Sequence, residues 1–132
     1  MKKYKIGFVC ILCSLFFSFI IFPAEAAGPN EIVTEYFQAL KEGNVKLVKH
    51  LISGNLYNKR RVLLEENPTY GSFLKKIYMG SHIQIMDTVK KNGITYVDVR
   101  IEFQDGSNYL VTLLLKQDNS KKWKIIDETV KY

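Results

Sequence analysis

The sequence has no cysteine from residue 27 onward, because both of its cysteines, Cys10 and Cys13, lie in an apolar run near the N-terminus. Residues 27–132 therefore cannot depend on disulfides and must be stabilised by burying a core. The Cys-x-x-Cys spacing indicates neither a metal site nor a redox site here, since apolar residues surround both cysteines. A lipidation signal is not favoured either, because Cys13 lies in the middle of the apolar run and not at its end.

The sequence also has few residues of the kinds that build metal or catalytic centres. Its two histidines, His50 and His82, have no Asp, Glu or Cys cluster beside them in the predicted elements. Ser81 and His82 are neighbours and would point to opposite faces of a strand, which excludes a nucleophile–base pair. No glycine-rich phosphate loop is present. We therefore expect no metal and no cofactor.

The surplus of positive charge is small. The whole chain carries a formal charge of +6, and removal of residues 1–26 takes away three lysines and Glu25, which leaves +4. This balance favours anionic surfaces but is too weak and too scattered for a nucleic-acid-binding face. Arg60-Arg61 and Lys75-Lys76 form short basic spots that could meet anionic lipid headgroups or wall polymers, or could be ordinary solvated helix charge.

The N-terminal segment has the three parts of a secretory signal peptide. Residues 1–5 are positively charged, Ile6 to Phe22 carry no charge, and Ala24 and Ala26 give the small-x-small pattern of a cleavage site after Ala26. The alternative is an uncleaved anchor, although an apolar helix over Ile6 to Phe22 would span roughly 25 Å, short of the ~30 Å hydrocarbon core. We expect one domain over 27–132, exported to the periplasm, the cell surface or the medium.

The first half of residues 27–132 has the period of helices. A helix is predicted from Pro29 to Gly43, where the glycine is typical of a helix end. Asn44 is expected to cap a second, short helix that ends near Ser53-Gly54. Residues 55–80 favour two more short helices, separated at Asn67-Pro68 because proline disfavours helix at the residue before it. The apolar stripe of the first helix is Ile32, Val33, Tyr36, Phe37 and Leu40.

From Ser81 the period changes to that of β-strands. Strands are predicted at about 81–90, 94–104, 107–116 and 121–130. Asn92-Gly93 and Asp105-Gly106 have the composition of two-residue hairpin turns, in which both residues take positive φ. Strands joined in this way form an antiparallel meander. The fold class is therefore α+β, with helices packed on a four-stranded sheet.

Alternation within the strands assigns their faces. Val97, Val99 and Ile101 share one face, which we expect to meet the helices. In the last strand, Trp123 and Ile125 share a face, with Lys122 and Lys124 opposite. A nucleic-acid-binding surface needs its aromatic and basic groups together. We therefore expect Trp123 in the core and both lysines in solvent.

Several motifs resemble the nuclear transport factor 2-like superfamily, also called cystatin-like, and in particular its small exported bacterial members. They are Phe37, Ala39-Leu40 and Gly43-Asn44 in the first helix region, the Asp105-Gly106 hairpin, and the closing Trp123-Lys124-Ile125. The resemblance covers essentially all of residues 27–132. It implies a curved sheet wrapped around helices, which forms a cone with an apolar pocket. In this superfamily the pocket binds a small molecule, carries catalysis, or is filled by side chains.

The expected pocket-lining residues come from the apolar stripes that such a cone would enclose. Asp87 is added because it shares strand parity with Ile83, Ile85 and Val89. The alternative is that this strand is an edge strand, or contains a bulge that places Asp87 in water. The tyrosines could offer hydroxyls to a ligand, or could be core residues whose tips reach the surface. The candidates are Tyr36, Phe37, Leu40, Phe73, Ile77, Asp87 and Tyr109.

Two functions are consistent with these features. The first is an exported, non-catalytic binding or accessory domain of the bacterial cell envelope, with an apolar pocket for a small ligand or a surface for a protein partner. The alternative is a cofactor-free cyclase or isomerase that uses Asp87 as base and Tyr36 or Tyr109 as hydrogen-bond donor. Leu110, Thr112 and Leu114 leave a partly apolar second sheet face, which hints at a homodimer.

Overall fold

The computed structural model describes residues 27–131, which form four helices followed by four strands. The strands make one antiparallel sheet in the order β1-β2-β3-β4, so the predicted α+β meander is confirmed. The predicted signal peptide, with Cys10 and Cys13, lies outside the described residues. The elements are α1 (Pro29–Glu42), α2 (Val45–Leu51), α3 (Gly54–Glu66), α4 (Tyr70–Tyr78), β1 (His82–Lys91), β2 (Ile94–Glu102), β3 (Asn108–Gln117) and β4 (Trp123–Lys131).

The helix ends follow the expected local signals. Gly43 ends α1 in the left-handed region, with φ of 64°, and its N–H donates to the Leu40 carbonyl at 3.2 Å. The Asn44 side chain then accepts from the Leu47 N–H at 3.1 Å and begins α2. The third helix ends at Glu66, just before Asn67-Pro68, as the proline predicts.

The core lies between the sheet and the helices. Val97, Val99 and Ile101 of β2 are buried, together with the predicted apolar stripe of α1. The buried cluster draws on all four helices and on β2, β3 and β4, and it lies within residues 27–131. These residues therefore contain the sheet and the core that a folding unit requires.

The two hairpin signals gave different turns. Asn92 and Gly93 both take positive φ, 53° and 76°, as a type I′ turn requires. At Asp105-Gly106 only Gly106 does, with φ of 87°. The Phe103 N–H pairs with the Ser107 carbonyl at 2.9 Å, so this loop has three residues and ends in a glycine bulge. Accordingly, β2 ends at Glu102, two residues earlier than predicted, and β3 begins at Asn108, one residue later than predicted.

The last strand contacts the core as expected, but only one of the two lysines beside Trp123 is free in solvent. Ile125 is fully buried and Trp123 is half-buried against the core cluster. Lys122 is exposed, as expected. Lys124, however, donates to the His50 carbonyl oxygen in the last turn of α2, where the helix dipole favours a positive charge. The Ser53 N–H also bonds to the Ile125 carbonyl at 2.9 Å, so the α2–α3 junction covers this edge of the sheet.

Each outer strand contains one bulge that reverses which side chains face the core. In β1 the pairing shifts between Ile85 and Asp87, so that Asp87 pairs with Asp98 on the outer face. In β4 the pairing partners of Leu115 and Leu114 are Ile125 and Asp127, which leaves Ile126 as the extra residue. Glu128 consequently pairs with the buried Leu113 and shares its inward face.

On the outer face, Asp98 is held as a carboxylate by two partners. Its Oδ1 accepts from the Thr112 hydroxyl at 2.5 Å and from Lys131 at 3.3 Å. The hydrogen bond from Thr112 is the larger cause, and both lower the pKa of Asp98. Leu110 and Leu114 flank Thr112 on this face and are half-buried within the described chain.

Replacing Thr112 with valine is expected to raise the pKa of Asp98 toward its ordinary value, because the larger of the two bonds that lower it is lost. A lowered carboxyl pKa stabilises the fold above the unfolded-state pKa, and this contribution is lost as the pH falls through the folded-state pKa. The variant should therefore be less stable than the wild type at neutral pH, and the difference should shrink in acid. NMR titration of Asp98 and urea unfolding across this range measure both effects. An unchanged Asp98 titration would contradict the assignment.

No helix of residues 27–131 is both long and apolar enough to cross a membrane.

Candidate functional site

A cavity of about 760 Å³ opens at the end of the sheet that carries the β2–β3 turn. It lies between α1, α3 and α4 on one side and β2, β3 and β4 on the other. Its lining residues are Tyr36, Phe37, Arg60, Lys76, Ile77, Tyr78, Met79, Ile101, Phe103, Gln104, Asp105, Ser107, Tyr109, Val111, Glu128 and Val130.

Aromatic rings form one continuous wall of this cavity. The Tyr78 ring lies 6.3 Å from Phe37 and 5.5 Å from Phe103, and Phe103 in turn meets Tyr109 edge-on at 5.5 Å. Burial raises the pKa of the Tyr78 hydroxyl, so it stays protonated. Ring pairs at these distances stabilise one another beyond simple area burial. The wall is therefore firm and largely apolar.

Tyr36 carries a hydroxyl that is buried without a partner. Its side chain is 1% exposed, and its oxygen is the one buried side-chain polar atom of residues 27–131 that has no hydrogen-bond partner. Desolvation raises the pKa of this phenol well above its usual range, so it remains a neutral donor and acceptor. An unsatisfied buried hydroxyl costs about 1–3 kcal/mol. Such a group in a cavity wall is suited to a ligand's polar atom.

Beside this hydroxyl, an ion pair crosses from α3 to β4. Arg60 Nη2 lies 2.5 Å from Glu128 Oε1, with the two side chains only 17% and 26% exposed. Burial lowers the pKa of Arg60, and the charge and hydrogen bond of Glu128 oppose this effect, so the guanidinium stays charged. A neighbouring pair, Lys59 and Asp127 at 2.8 Å, joins the same two elements.

The arginine has hydrogen-bonding capacity beyond this pair. A guanidinium presents five N–H donors in a planar fork. Among residues 27–131, Glu128 is the one side chain to which Arg60 donates. Because Arg60 also lines the cavity, its other donors can meet a bound acceptor.

The mouth of the cavity is rimmed by exposed apolar side chains. Ile77, Met79, Tyr109 and Val130 line the opening and are between 38% and 54% exposed. Asp105 lies on the turn side of the mouth, where it accepts from the Ser107 hydroxyl at 2.5 Å and from the Ser107 N–H at 2.9 Å. These bonds lower the pKa of Asp105, which keeps it ionised.

The structure brings four of the seven expected residues to the cavity. Tyr36, Phe37, Ile77 and Tyr109 line it. Leu40, one turn beyond Tyr36, is sealed in the core with no exposed surface. Phe73 is 55% exposed on α4 and stacks on Tyr70 at 6.3 Å. Asp87 is exposed on the outer face, because the bulge at Met86 reverses the parity that pointed it inward.

Sequence reasoning missed the polar end of the cavity. Arg60 was recognised only as part of a basic spot, and Glu128 was not a candidate because simple alternation from Trp123 directs it outward. One signal was present: Ile125 and Ile126 are adjacent apolar residues, and Val130 is out of phase with Trp123. Such a phase change within a strand is typical of a bulge.

No group of three or more His, Cys, Asp or Glu side chains among the described residues could hold a metal ion.

This architecture, helices enclosed by a curved antiparallel sheet with an open cavity, defines a cone-shaped α+β domain. Solved structures share it at low sequence identity. A provisionally named ketosteroid isomerase from Shewanella frigidimarina aligns with a TM-score of 0.55 and 17% identity over 76% of this chain and 91% of its own. A nuclear transport factor 2-like protein of unknown function from Shewanella baltica gives 0.53 and 7%, over 78% and 90%.

A nuclear transport factor 2-like superfamily protein from Salmonella enterica serovar Typhimurium is similar at a TM-score of 0.51 and 10% identity, over 76% of this chain and 85% of its own. The chain therefore has the nuclear transport factor 2-like fold, which confirms the resemblance drawn from its motifs. No protein-family model and no curated protein matches the chain.

Proposed function

We propose that this chain is a non-catalytic binding domain whose cavity takes a small, mainly apolar molecule that carries one oxygen-bearing polar group. The observation that supports this most is the buried, unpartnered hydroxyl of Tyr36, a residue that lines an open, aromatic-walled cavity. The nuclear transport factor 2-like fold commonly forms a ligand-binding pocket, but the ligand class proposed here is inferred from the residues of this chain.

The size and lining of the cavity fit such a ligand. Pockets for small molecules measure about 300–1,000 Å³ and are mainly apolar with a few convergent polar groups. This cavity measures about 760 Å³ and places its polar groups, Tyr36, Arg60 and Glu128, together. The apolar part of a ligand would lie along the Tyr78–Phe103 wall.

The polar end favours a hydrogen-bond acceptor, and best an anionic one. The Tyr36 hydroxyl and the spare N–H groups of Arg60 are donors, and bonds from a guanidinium to an anionic oxygen are about twice as strong as neutral ones. A carboxylate or sulfonate would satisfy both donors. Glu128 would then share Arg60 with the ligand.

The alternative function, a cofactor-free cyclase or isomerase, requires a base beside a tyrosine hydroxyl. The expected base, Asp87, does not lie beside either expected tyrosine. Asp87 lies on the outer face, away from Tyr36 and Tyr109. Within the cavity, Glu128 is bound to Arg60, and the lowered pKa of Asp105 makes it a poor proton acceptor near neutral pH. Binding is therefore the better supported function.

We place this function outside the cytoplasm, on the evidence of the N-terminal sequence pattern alone. Cleavage after Ala26 would leave the described domain intact. N-terminal sequencing of the protein recovered from the host's envelope and medium tests both export and the cleavage position.

The binding site is tested with two fluorescent probes that share the same rings. Anilinonaphthalene sulfonate carries an anionic acceptor, and phenyl-naphthylamine lacks it. Tyr36→Phe removes the donor but keeps the ring, so the sulfonate's dissociation constant should rise about tenfold, equivalent to one lost hydrogen bond. Binding of the neutral probe should stay within about twofold, since the apolar wall is unchanged.

The same variant should be at least as stable as the wild type, because it removes an unsatisfied buried hydroxyl. Urea unfolding of Tyr36→Phe therefore serves as a control: unchanged or higher stability shows that weaker probe binding does not come from a loss of structure. If the wild type binds neither probe, or if Tyr36→Phe weakens both equally, the proposed site is refuted.

A further inference from the structure

We infer that the ligand of the cavity is a hydroxy acid, with an apolar chain and a polar end in which a hydroxyl lies on the carbon next to a carboxylate. This ligand class rests on the proposed function and concerns the same site. The residue that carries the inference is Glu128, because an acidic side chain in the cavity wall is not needed to hold an anionic group.

Glu128 presents a carboxylate to the cavity beside the two donors. The bulge in β4 turns its side chain to the inward face, and it lines the cavity together with Tyr36 and Arg60. Burial is the main cause of the raised pKa of the Tyr36 and Tyr78 hydroxyls, and the negative charge of Glu128 adds to it in both. The charge of Glu128 therefore reaches the wall along which a ligand would lie.

This charge opposes the binding of a simple carboxylic acid. Arg60 holds a single positive charge, and Glu128 already pairs with it, Nη2 to Oε1 at 2.5 Å. A ligand carboxylate bonded to Arg60 would therefore be a second anion beside the first, and like charges at close range repel each other. A ligand that has only a carboxylate and a chain would bind against this repulsion.

A hydroxyl on the ligand replaces part of the repulsion with a hydrogen bond. Among residues 27–131, Arg60 donates to the Oε1 oxygen of Glu128, and no side chain donates to Oε2, which can accept from a ligand. A hydrogen bond from a hydroxyl to a carboxylate is among the strong ones. The ligand carboxylate would at the same time accept from Arg60 and from the Tyr36 hydroxyl, which has no partner in the described chain. All three side chains would then be satisfied.

The spacing of the wall groups places the hydroxyl next to the carboxylate. Arg60 and Glu128 are in direct contact, so the ligand groups that meet them must be close neighbours. A hydroxyl on the carbon that bears the carboxylate meets this condition. A hydroxyl at the far end of the chain would instead lie along the aromatic wall or at the mouth, away from Glu128.

Isothermal titration calorimetry tests this with the chain from residue 27 onward, which contains the sheet and the whole core. Three acids of equal chain length are compared: decanoate, 2-hydroxydecanoate and 10-hydroxydecanoate. The better-bound enantiomer of 2-hydroxydecanoate should bind about tenfold more tightly than decanoate, equivalent to one added hydrogen bond to a charged group. The gain for 10-hydroxydecanoate should be less than about twofold, because its hydroxyl does not reach Glu128.

Matched variants assign the preference to Glu128. Glu128→Gln keeps the size of the side chain and removes its charge, so decanoate should bind at least as tightly as to the wild type, and the advantage of the neighbouring hydroxyl should fall below about threefold. Asp127→Asn makes the same change one residue away, in a carboxylate that pairs with Lys59 and does not line the cavity, and should keep the full preference. Urea unfolding checks that both variants are folded, and the comparison of the three acids on the wild type depends on neither.

Equal binding of decanoate and 2-hydroxydecanoate, or a preference that Glu128→Gln leaves unchanged, would overturn this ligand class. Tighter binding of the neutral decanamide than of 2-hydroxydecanoate would also overturn it and would assign the site to an amide. These results would leave the proposed binding function standing, because a ligand still binds. Failure of both fluorescent probes to bind would instead refute the proposed function and the ligand class with it.

Discussion

Replacing Gly43 with alanine is expected to lower the free energy of unfolding by about 3 kcal/mol, from two separate causes. The first is conformational: Gly43 has φ of 64°, a region that costs a residue with a Cβ roughly 1–2 kcal/mol. The second is steric: a Cβ at this position would lie 2.3 Å from the Gly71 carbonyl oxygen. Backbone cannot move aside as a flexible side chain can.

The clash matters because it separates the two helices that build the site. The approach is reciprocal, since a Cβ on Gly71 would lie 2.6 Å from the Gly43 carbonyl oxygen. Gly43 directly follows α1, which carries Tyr36, and Gly71 lies in the first turn of α4, which carries Ile77 and Tyr78 of the cavity lining. Forcing these ends apart should loosen the cavity as well as the core.

A control isolates the steric part. Gly93 also has positive φ, 76°, but a Cβ there would meet nothing within 4 Å. Gly93→Ala should therefore cost only the conformational term, about 1 kcal/mol. Urea unfolding of both variants measures the difference. Equal losses would show that the Gly43–Gly71 contact adds nothing.

The order and type of the elements could be predicted because each is specified by short-range signals. Hydrophobic period distinguishes the helical half from the strand half, and Gly43, Asn44 and Pro68 set boundaries within one or two residues. Tyr36 and Phe37 both line the cavity, since a helix of regular period keeps its faces. The prediction of a two-residue hairpin turn at Asp105-Gly106 was wrong. The same pair of residues also fits a three-residue loop that ends in a glycine bulge.

The polar end of the site could not be predicted by counting along strands. A bulge adds one residue and exchanges the faces of everything beyond it, and β1 and β4 each contain one. Met86 thereby moves Asp87 outward, and Ile126 moves Glu128 inward. Arg60 could not be predicted as a site residue, because it reaches the cavity only through the packing of α3 against β4, and no local sequence signal indicates that packing.

Replacing Arg60 with methionine is expected to cost about 3 kcal/mol of stability, because it leaves the Glu128 carboxylate unpaired inside the protein. The value is at the low end for buried pairs, since Glu128 keeps 26% of its side-chain surface exposed. Binding of anilinonaphthalene sulfonate should fall by about tenfold or more, because the charged donor for the sulfonate is gone. Urea unfolding and fluorescence titration measure the two effects.

The double variant Arg60→Met/Glu128→Leu distinguishes a structural role of the pair from a binding role. Replacing both members of a buried ion pair with apolar residues is often neutral or stabilising, so most of the lost stability should return. Binding of the anionic probe should not return. The double variant should, however, bind phenyl-naphthylamine at least as tightly as the wild type does. Recovery of sulfonate binding, or a double variant as unstable as the single one, would mean that Arg60 and Glu128 serve the fold. Recovered stability without recovered sulfonate binding would instead show that Arg60 serves to bind the ligand.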